Sequence, residues 1–392
     1  MVGQYDVYCC CIRGSIVYVY CGQVWQKSRH YCHGCTSSVA LIIARACGGV
    51  PAGGCFNLIP MYVKEISQDN IRGALVSLTM MFQNIGLLVM YAMGGYMDYN
   101  LVLWIALGVP TVTIIFMIIA PESPAFLVKK EKLEEAAATI AKLRGLPKDH
   151  KIVVNEIEIM KNEEMHFKDV QKVSFSGILK TKAWCKSFIL CMLMLTALDA
   201  NGYFTILHYA WTIMTQSGVT VNPELQTLSI PALMILGSVV SMSLVERLGR
   251  KPLLSAAFVI SALSMACLGT VLLAQKQGTN VPSWVAVVSI VASVWAYAAG
   301  ILPMTYVVLS EIFNFQVRAK LIGVIVTYGW FVSFVQLAVY GPICNLLGMH
   351  TMFYIFSGVN VFGIFVALIL LPETKGKTVD EIEQILLGKR VK

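Results

Sequence analysis

The sequence is poor in charge. Only 13% of its 392 residues are Asp, Glu, Lys or Arg, whereas 57% are hydrophobic, and the mean hydropathy is +0.70. A soluble domain cannot bury that much apolar surface. The scarcity of charge therefore excludes a soluble globular protein and predicts an all-α polytopic membrane protein.

Other absences narrow the function. The sequence has no nucleotide-binding loop, catalytic triad or complete metal cluster, so we expect neither an enzyme nor a cofactor. Cys32-His33-Gly34-Cys35 resembles half of a zinc or redox site, but one CxxC without a second ligand pair predicts no metal site. Residues 1–35 also lack a clean signal-peptide pattern, and we set them apart as an atypical N-terminal segment.

The positive charge is concentrated in two places. The net charge is +8, and of 30 Lys and Arg residues 13 lie between Pro121 and Lys186 and five after Pro372. Basic residues beside short membrane spans mark the cytoplasmic side. The distribution thus predicts a cytoplasmic central loop and C-terminus, and it argues against a nucleic-acid partner.

Apolar runs long enough to cross a bilayer recur along the chain, since a spanning helix needs roughly 20 residues. They predict three helices before the central loop and six after it, with a break near Pro342 and Asn345 to Gly348 in the last stretch. Leu133, Ala137, Ile140 and Leu143 recur at helical spacing, so the loop itself is expected to contain amphipathic helices. The runs are 38–62, 74–97, 101–120, 187–215, 226–245, 252–274, 282–309, 320–345 and 350–371.

These runs give a domain layout. We expect the remainder of an N-terminal half at 36–120, a cytoplasmic helical linker at 121–186, a C-terminal six-helix half at 187–371 and a cytoplasmic tail at 372–392.

Charged motifs occur twice. The spacing from Glu65 to Arg72 repeats from Glu311 to Arg318, 246 positions later. Pro121-Glu122-Ser123 is echoed by Pro372-Glu373-Thr374, 251 positions later. Such duplication is typical of transporters built from two similar halves. Glu246-Arg247-Leu248-Gly249-Arg250-Lys251 has no earlier copy, so we expect an N-terminally truncated chain of about nine transmembrane helices.

In order and spacing, these motifs resemble those of the sugar porter family of the major facilitator superfamily, which includes insect facilitated trehalose transporters and animal glucose transporters. The resemblance extends over residues 38 to 385 and implies a twelve-helix bundle, of which the chain would show the fourth to twelfth helices. It further implies a facilitated carrier of a small sugar, a hexose or trehalose, working by alternating access in a lipid bilayer. The plasma membrane is the expected location.

The charged motifs are expected to form a gate on the cytoplasmic side, because ion pairs that form in one state and separate in another bias a rocking equilibrium. Simple anchoring of helix ends by charge is the alternative. Gly300 and Pro303 would let one helix bend. The gate residues are Glu65, Arg72, Glu122, Glu246, Arg250, Glu311, Arg318 and Glu373, and Ala125 stands where the family usually has Arg.

The sugar-binding amides of the family are mostly missing. The positions that correspond to them are Leu198 to Phe204, Met80, Met234, Ala298, Tyr306 and Ser333. Asp199 lies instead in the middle of a span, where a carboxylate is costly and should face a cavity or a partner. It would couple proton movement, bind a cationic solute, or be a protonated acid in helix packing. The candidate solute-binding residues are Asp199, Asn201, Tyr203, Tyr306 and Trp330.

Two face relations follow if this span is one continuous helix: Tyr203 lies one turn from Asp199 on the same face, and His208 lies on the opposite face. Two alternatives to a sugar carrier remain open. One is a non-transporting member, namely a sensor, a regulatory subunit or an inert fragment. The other is a carrier of a different small organic solute that uses Asp199. The oligomeric state is not predicted.

Overall fold

The structure, a computed structural model, describes residues 49, 62, 66, 72–119, 121–170, 181–217, 223–279, 281–313, 315–375, 377 and 379–387. Within these ranges the regular structure is helical throughout, with no strand. The expectation of an all-α protein is confirmed. The Cys32 to Cys35 motif and Glu65 lie outside the described residues.

Fourteen α-helices follow one another in the described ranges. Two π-helical turns, Tyr297–Ile301 and Val366–Leu370, occur among them. The helices are α1 (Arg72–Tyr96), α2 (Tyr99–Ile119), α3 (Pro124–Lys129), α4 (Leu133–Arg144), α5 (Lys151–Val170), α6 (Lys182–Asp199), α7 (Tyr203–Gln216), α8 (Pro223–Leu248), α9 (Arg250–Lys276), α10 (Ser283–Ala296), α11 (Leu302–Ile312), α12 (Phe315–Leu347), α13 (Met349–Phe365) and α14 (Val379–Leu386).

Several of these helices are long and apolar enough to span a bilayer, so the chain is polytopic. Five candidate spans stand out in the described part of the chain: Lys182–Gln216, Arg250–Lys276, Ser283–Leu309, Leu321–Leu347 and Met349–Leu370. A shorter apolar helical segment covers Leu228–Leu244. Helices α1 and α2, with 25 and 21 residues, also have spanning length.

The chain forms two compact units. The first comprises residues 1–79 and 92–173, and the second comprises residues 80–91 and 174–392. The middle of α1 thus groups with the second unit, while its two ends group with the first. The domain boundaries expected from the apolar runs remain a prediction.

In the first unit, α3, α4 and α5 pack around a small apolar core. Ala136, Ile140 and Val153 are buried there. The guanidinium of Arg144 pairs with the carboxylate of Glu156 at 3.2 Å and donates to the carbonyl oxygen of Ile66 at 3.0 Å. The amphipathic helices expected in the loop are therefore present.

One detail of the expected apolar face is wrong. Leu133 is 38% exposed, because it is the first residue of α4 and lies before the helix reaches the core. The buried face begins at Ala136, one position before the expected Ala137.

One helix break in the second unit was not expected, and another lies within the expected segment Asn345 to Gly348. The run at 187–215 is not one helix, since α6 ends at Asp199 and α7 begins at Tyr203. The break in the last stretch lies at Gly348, which has a φ of 96°. Pro342 lies inside α12, so proline does not end that helix.

The bend expected near Gly300 and Pro303 has a structural counterpart. Gly300 belongs to the π-helical turn, and Pro303 follows in the first turn of α11, where its missing N–H is tolerated. π-Helical turns in α-helices are frequent at functional sites.

The C-terminal helix α14 packs on the start of α6. The indole N–H of Trp184 donates to the Glu383 carboxylate at 2.9 Å, and the Lys186 ammonium donates to the carbonyl oxygen of Leu386 at 2.9 Å. Ile382 is fully buried. These contacts attach the described part of the tail to the second unit.

Candidate functional site

The break between α6 and α7 is built around Gly202. Its φ of 95° is in the left-handed region, which glycine adopts without steric cost. A Cβ there would also lie 2.6 Å from the ring of Phe356. The Asn201 side-chain oxygen accepts a hydrogen bond from the Tyr203 N–H at 2.8 Å and so satisfies a donor at the start of α7.

Two buried amides from neighbouring helices hold this break. Gln336 fits with its nitrogen donating to the Asp199 carbonyl and its oxygen accepting from the Gly202 N–H at 3.2 Å, because the reversed amide would face its oxygen to that carbonyl. Asn360 donates to the carbonyl oxygen of Asn201 at 3.2 Å. Neither residue was among those predicted for the site. The available signal was the presence of amides in runs almost free of charge.

Asp199 is the last residue of α6, and it is only 8% exposed. One carboxylate oxygen accepts a hydrogen bond from the Ser333 hydroxyl at 3.2 Å, and the other lies directly over Gly329, where an added Cβ would collide with it. Among the residues that the structure describes, no lysine, arginine or histidine interacts with this carboxylate. The acid therefore lies among neutral groups.

Aromatic side chains surround this region. The rings of Tyr203 and Tyr297 stack with centroids 3.8 Å apart and planes 9° apart. The rings of Phe204 and Trp330 lie 6.1 Å apart. Tyr297 and Tyr306 are both close enough to Asp199 to interact with it electrostatically, and Tyr306 is half-buried.

The structure thus gathers part of the predicted site. Asp199 lies near Tyr306, and Trp330 follows Gly329 on α12. The amide oxygen of Asn201 is used in the helix cap, and the hydroxyl of Tyr203 donates to the sulfur of Met234 at 3.3 Å. Both groups are therefore already engaged.

The expected relations between helix faces are wrong, because they assumed one continuous helix through Asp199. Tyr203 begins a new helix beyond the break. The Nδ1 of His208 lies 2.8 Å from the carbonyl oxygen of Phe204 within that new helix. The position of His208 is set by α7, so counting helical turns from Asp199 does not locate its side chain.

A second cluster of polar groups, which we call the latch, comprises Arg250, Glu311, Glu373 and Thr374. The Arg250 guanidinium donates to one Glu311 oxygen at 2.8 Å, and the Thr374 hydroxyl donates to the other at 2.6 Å. Glu373 accepts from the main-chain N–H groups of Arg250 and Lys251 at 3.1 and 3.2 Å. A carboxylate at the start of α9 is favoured because helix N-termini carry partial positive charge.

The latch contains three of the predicted gate residues, and Thr374 is an addition that the sequence analysis missed. Glu122 is exposed. Arg72, Glu246 and Arg318 lie in α1, α8 and α12, of which the structure describes the backbone at these positions. The gating role stays a prediction.

Glu373 should make stability depend on pH. Partial burial acts to raise its pKa, but N–H donors from Lys375, Arg250 and Lys251 and the charge of Arg250 outweigh burial and hold the pKa below its ordinary value of 4.5. A lowered pKa in the folded state stabilises the protein above the unfolded value, and this contribution is lost as the pH falls through the folded value. We expect the stability difference between the wild type and Glu373→Gln to shrink as the pH falls below about 4.5.

Thermal unfolding in detergent between neutral and acidic pH measures this difference. Glu122→Gln is the matched control, because Glu122 is an exposed glutamate. A gap between wild type and Glu373→Gln that stays constant down to the most acidic pH would contradict the expectation.

Comparison with known proteins agrees with the helical architecture. The sequence profile of a family described as "Sugar (and other) transporter" matches residues 9–386. The facilitated trehalose transporter Tret1 of Anopheles gambiae is 25% identical over 361 residues, which cover 91% of this chain and 45% of the mosquito protein. The Tret1-2 homolog of Drosophila simulans is also 25% identical, with 91% of this chain and 73% of that protein covered. The chain thus spans about half the length of the mosquito relative.

Solved structures share the fold. The inward open xylose transporter XylE from E. coli superposes with a TM-score of 0.75 at 23% identity, covering 98% of this chain and 83% of XylE. The proton:xylose symporter XylE bound to 6-bromo-6-deoxy-D-glucose gives a TM-score of 0.70 at 21% identity, covering 98% and 84%. The chain therefore shares the fold of these xylose transporters.

Proposed function

The chain belongs to the sugar (and other) transporter family, and from this membership we propose that it carries a small sugar across a membrane by alternating access. The observation that carries the proposal is the family match, which extends over residues 9–386. A hexose or trehalose is the proposed solute, because relatives with 25% identity are facilitated trehalose transporters.

The polar region around the α6–α7 break is the proposed solute site. Hydroxyl-rich solutes need mixed donors and acceptors in a largely apolar surrounding. The carboxylate of Asp199 can accept from solute hydroxyl groups, and the rings of Tyr306 and Trp330 can pack against a sugar face. Trp330 keeps 36% of its surface exposed, so it remains available for contact. Asn201 and Tyr203 contribute mainly by shaping the break.

The latch is the proposed inner gate. Arg250 and Glu311 lie at the start of α9 and the end of α11, and Thr374 and Glu373 join the segment after α13 to both. Charge-assisted hydrogen bonds between helix ends hold them together in one state, and their separation would accompany opening. Glu65, Arg72, Glu122, Glu246 and Arg318 complete the proposed gate.

The protein is an integral membrane protein, and we place it in the plasma membrane with the central loop and C-terminus in the cytoplasm. The support is the basic residues of the linker and tail, since cytoplasmic loops carry an excess of Lys and Arg.

Reconstitution into liposomes tests the carrier function. Labelled glucose and trehalose should enter protein-containing liposomes with saturable kinetics, and unlabelled sugar loaded inside should accelerate entry, as alternating access requires. Protein-free liposomes give the background. If neither sugar shows saturable uptake, the proposal of a hexose or trehalose carrier is wrong.

A further inference from the structure

We propose that Asp199 is the counter-charge for a cationic group on the transported solute, so that the preferred substrate is an amino sugar or a similar hydroxylated amine. This inference deepens the proposed function and depends on it. It concerns which sugar is preferred, whereas the carrier function concerns whether any sugar is moved.

The Asp199 carboxylate has no cationic partner among the described residues. The Asp199 side chain lies in the interior, and among the described residues its side-chain hydrogen-bond donor is the neutral hydroxyl of Ser333 at 3.2 Å. Neighbouring elements present Tyr297 and Tyr306 to it, and neither residue is a cation. A buried carboxylate is stable as an ion only when it is paired and hydrogen-bonded. Within the described residues the protein supplies hydrogen bonding but no positive charge, so the charge is left for the solute to bring.

The second carboxylate oxygen of Asp199 lies against the backbone of α12. The oxygen that Ser333 does not bind lies over Gly329, a position where any side chain would displace it. Glycine on α12 thus lets an acid from α6 lie against the helix backbone. The acid keeps one oxygen fixed by Ser333 and the other without a hydrogen-bonding side chain. This arrangement orients a carboxylate for one further donor.

Two aromatic side chains belong to the region of Asp199. Tyr306 is half-buried near the acid, and Trp330 is 36% exposed beside Gly329. Faces of tyrosine and tryptophan attract organic cations. A carboxylate together with aromatic faces therefore suits an ammonium group, while the phenol hydroxyl of Tyr306 suits the sugar hydroxyls.

The region around the break offers few amide donors to a neutral sugar. Neutral, hydroxyl-rich solutes need mixed donors and acceptors, and the amide nitrogens of Gln336 and Asn360 near the break are already engaged. Gln336 is bound to Gly202 and the Asp199 carbonyl, and the Asn360 nitrogen donates to Asn201 and Phe356. The strongest polar group left for a solute is an anion, so a cationic solute gains more there than a neutral one.

Uptake of matched solutes by wild-type protein in liposomes tests the inference without any mutation. Glucosamine, N-acetylglucosamine and glucose differ at one ring position, and only glucosamine carries a positive charge at about pH 6.5. We expect the ratio of maximal rate to half-saturating concentration to be about tenfold or more higher for glucosamine than for the two neutral sugars, because hydrogen bonds to charged groups are stronger than those between neutral groups.

The variant Asp199→Asn keeps the shape of the side chain and removes its charge. We expect it to lose the preference for glucosamine, so that the ratio of glucosamine uptake to glucose uptake falls to about one. Asp98→Asn, an exposed acid between α1 and α2, is the matched control and should keep the wild-type preference. Equal transport of all three sugars by the wild type, or an unchanged preference in Asp199→Asn, would overturn the inference.

Two further outcomes separate the inference from the proposed function. If neutral sugars enter together with protons, and Asp199→Asn removes the proton movement, Asp199 is a proton site and the inference is wrong while the carrier function stands. If glucose, trehalose and glucosamine all fail to enter, the carrier function itself is wrong and the inference fails with it.

Discussion

Arg250→Ala is expected to lower sugar uptake by about tenfold or more. The guanidinium of Arg250 donates to Glu311 at 2.8 Å, and both side chains are partly buried. A hydrogen bond between charged groups contributes about 1.5–3 kcal/mol, and 1.4 kcal/mol already changes an equilibrium constant tenfold. Without the guanidinium, Glu311 keeps only the hydroxyl of Thr374, and Glu373 keeps its main-chain donors, so the weakened latch should favour the state in which it is open.

Initial uptake rates in liposomes, normalised to the amount of reconstituted protein, measure this effect. Lys132→Ala is the control, because Lys132 forms an ion pair of 2.7 Å with Glu135 on an exposed surface, and exposed pairs contribute little. The double variant Arg250→Ala/Glu311→Ala should lose less than the sum of the two single losses, since the residues interact directly. Wild-type uptake in Arg250→Ala would refute the gating role of the latch.

Gly329→Ala is expected to reduce transport about as strongly, for a steric reason. The new methyl group would collide with the Asp199 carboxylate and lie 2.8 Å from Leu195. Either Asp199 must leave its hydrogen bond with Ser333, or α6 and α12 must move apart. Overpacking of this kind costs about 1–3 kcal/mol, so we expect the melting temperature to fall together with transport.

The same helix provides the control. A Cβ at Gly323 would have no neighbour within 4 Å, and Gly323→Ala changes helix propensity in the same way, favourably by about 1 kcal/mol. Gly323→Ala should therefore be at least as stable as the wild type and transport normally. If the two variants behave alike, the close approach of Asp199 to Gly329 does not matter for function.

The positions of the spanning helices could be predicted from the sequence because hydropathy fixes them directly. The apolar run at 252–274 became α9, and the run at 101–120 became α2. The charged residues Arg250 and Glu311 could be proposed as gate residues because each belongs to a charged motif at the end of an apolar run. Such patterns depend on residue type and spacing alone.

The helix break at Asp199 could not be predicted in this way. Gly202 is one glycine among 30, and nothing in the sequence around it reveals its positive φ or its close approach to Phe356. The roles of Gln336 and Asn360 depend on that break, because they bind backbone groups that a continuous helix would have satisfied internally. Gln336 and Asn360 therefore could not be identified from the positions at which solute-binding amides are expected.

Helix α6 connects the C-terminal helix α14 to the buried Asp199 carboxylate. Helix α6 has 18 residues, or about 27 Å at 1.5 Å per residue. Its first turn is fastened to α14 by Trp184 and Lys186, and its last residue is Asp199. Since a helix transmits axial displacement with little compression, a movement of α14 along the axis of α6 would shift the Asp199 carboxylate.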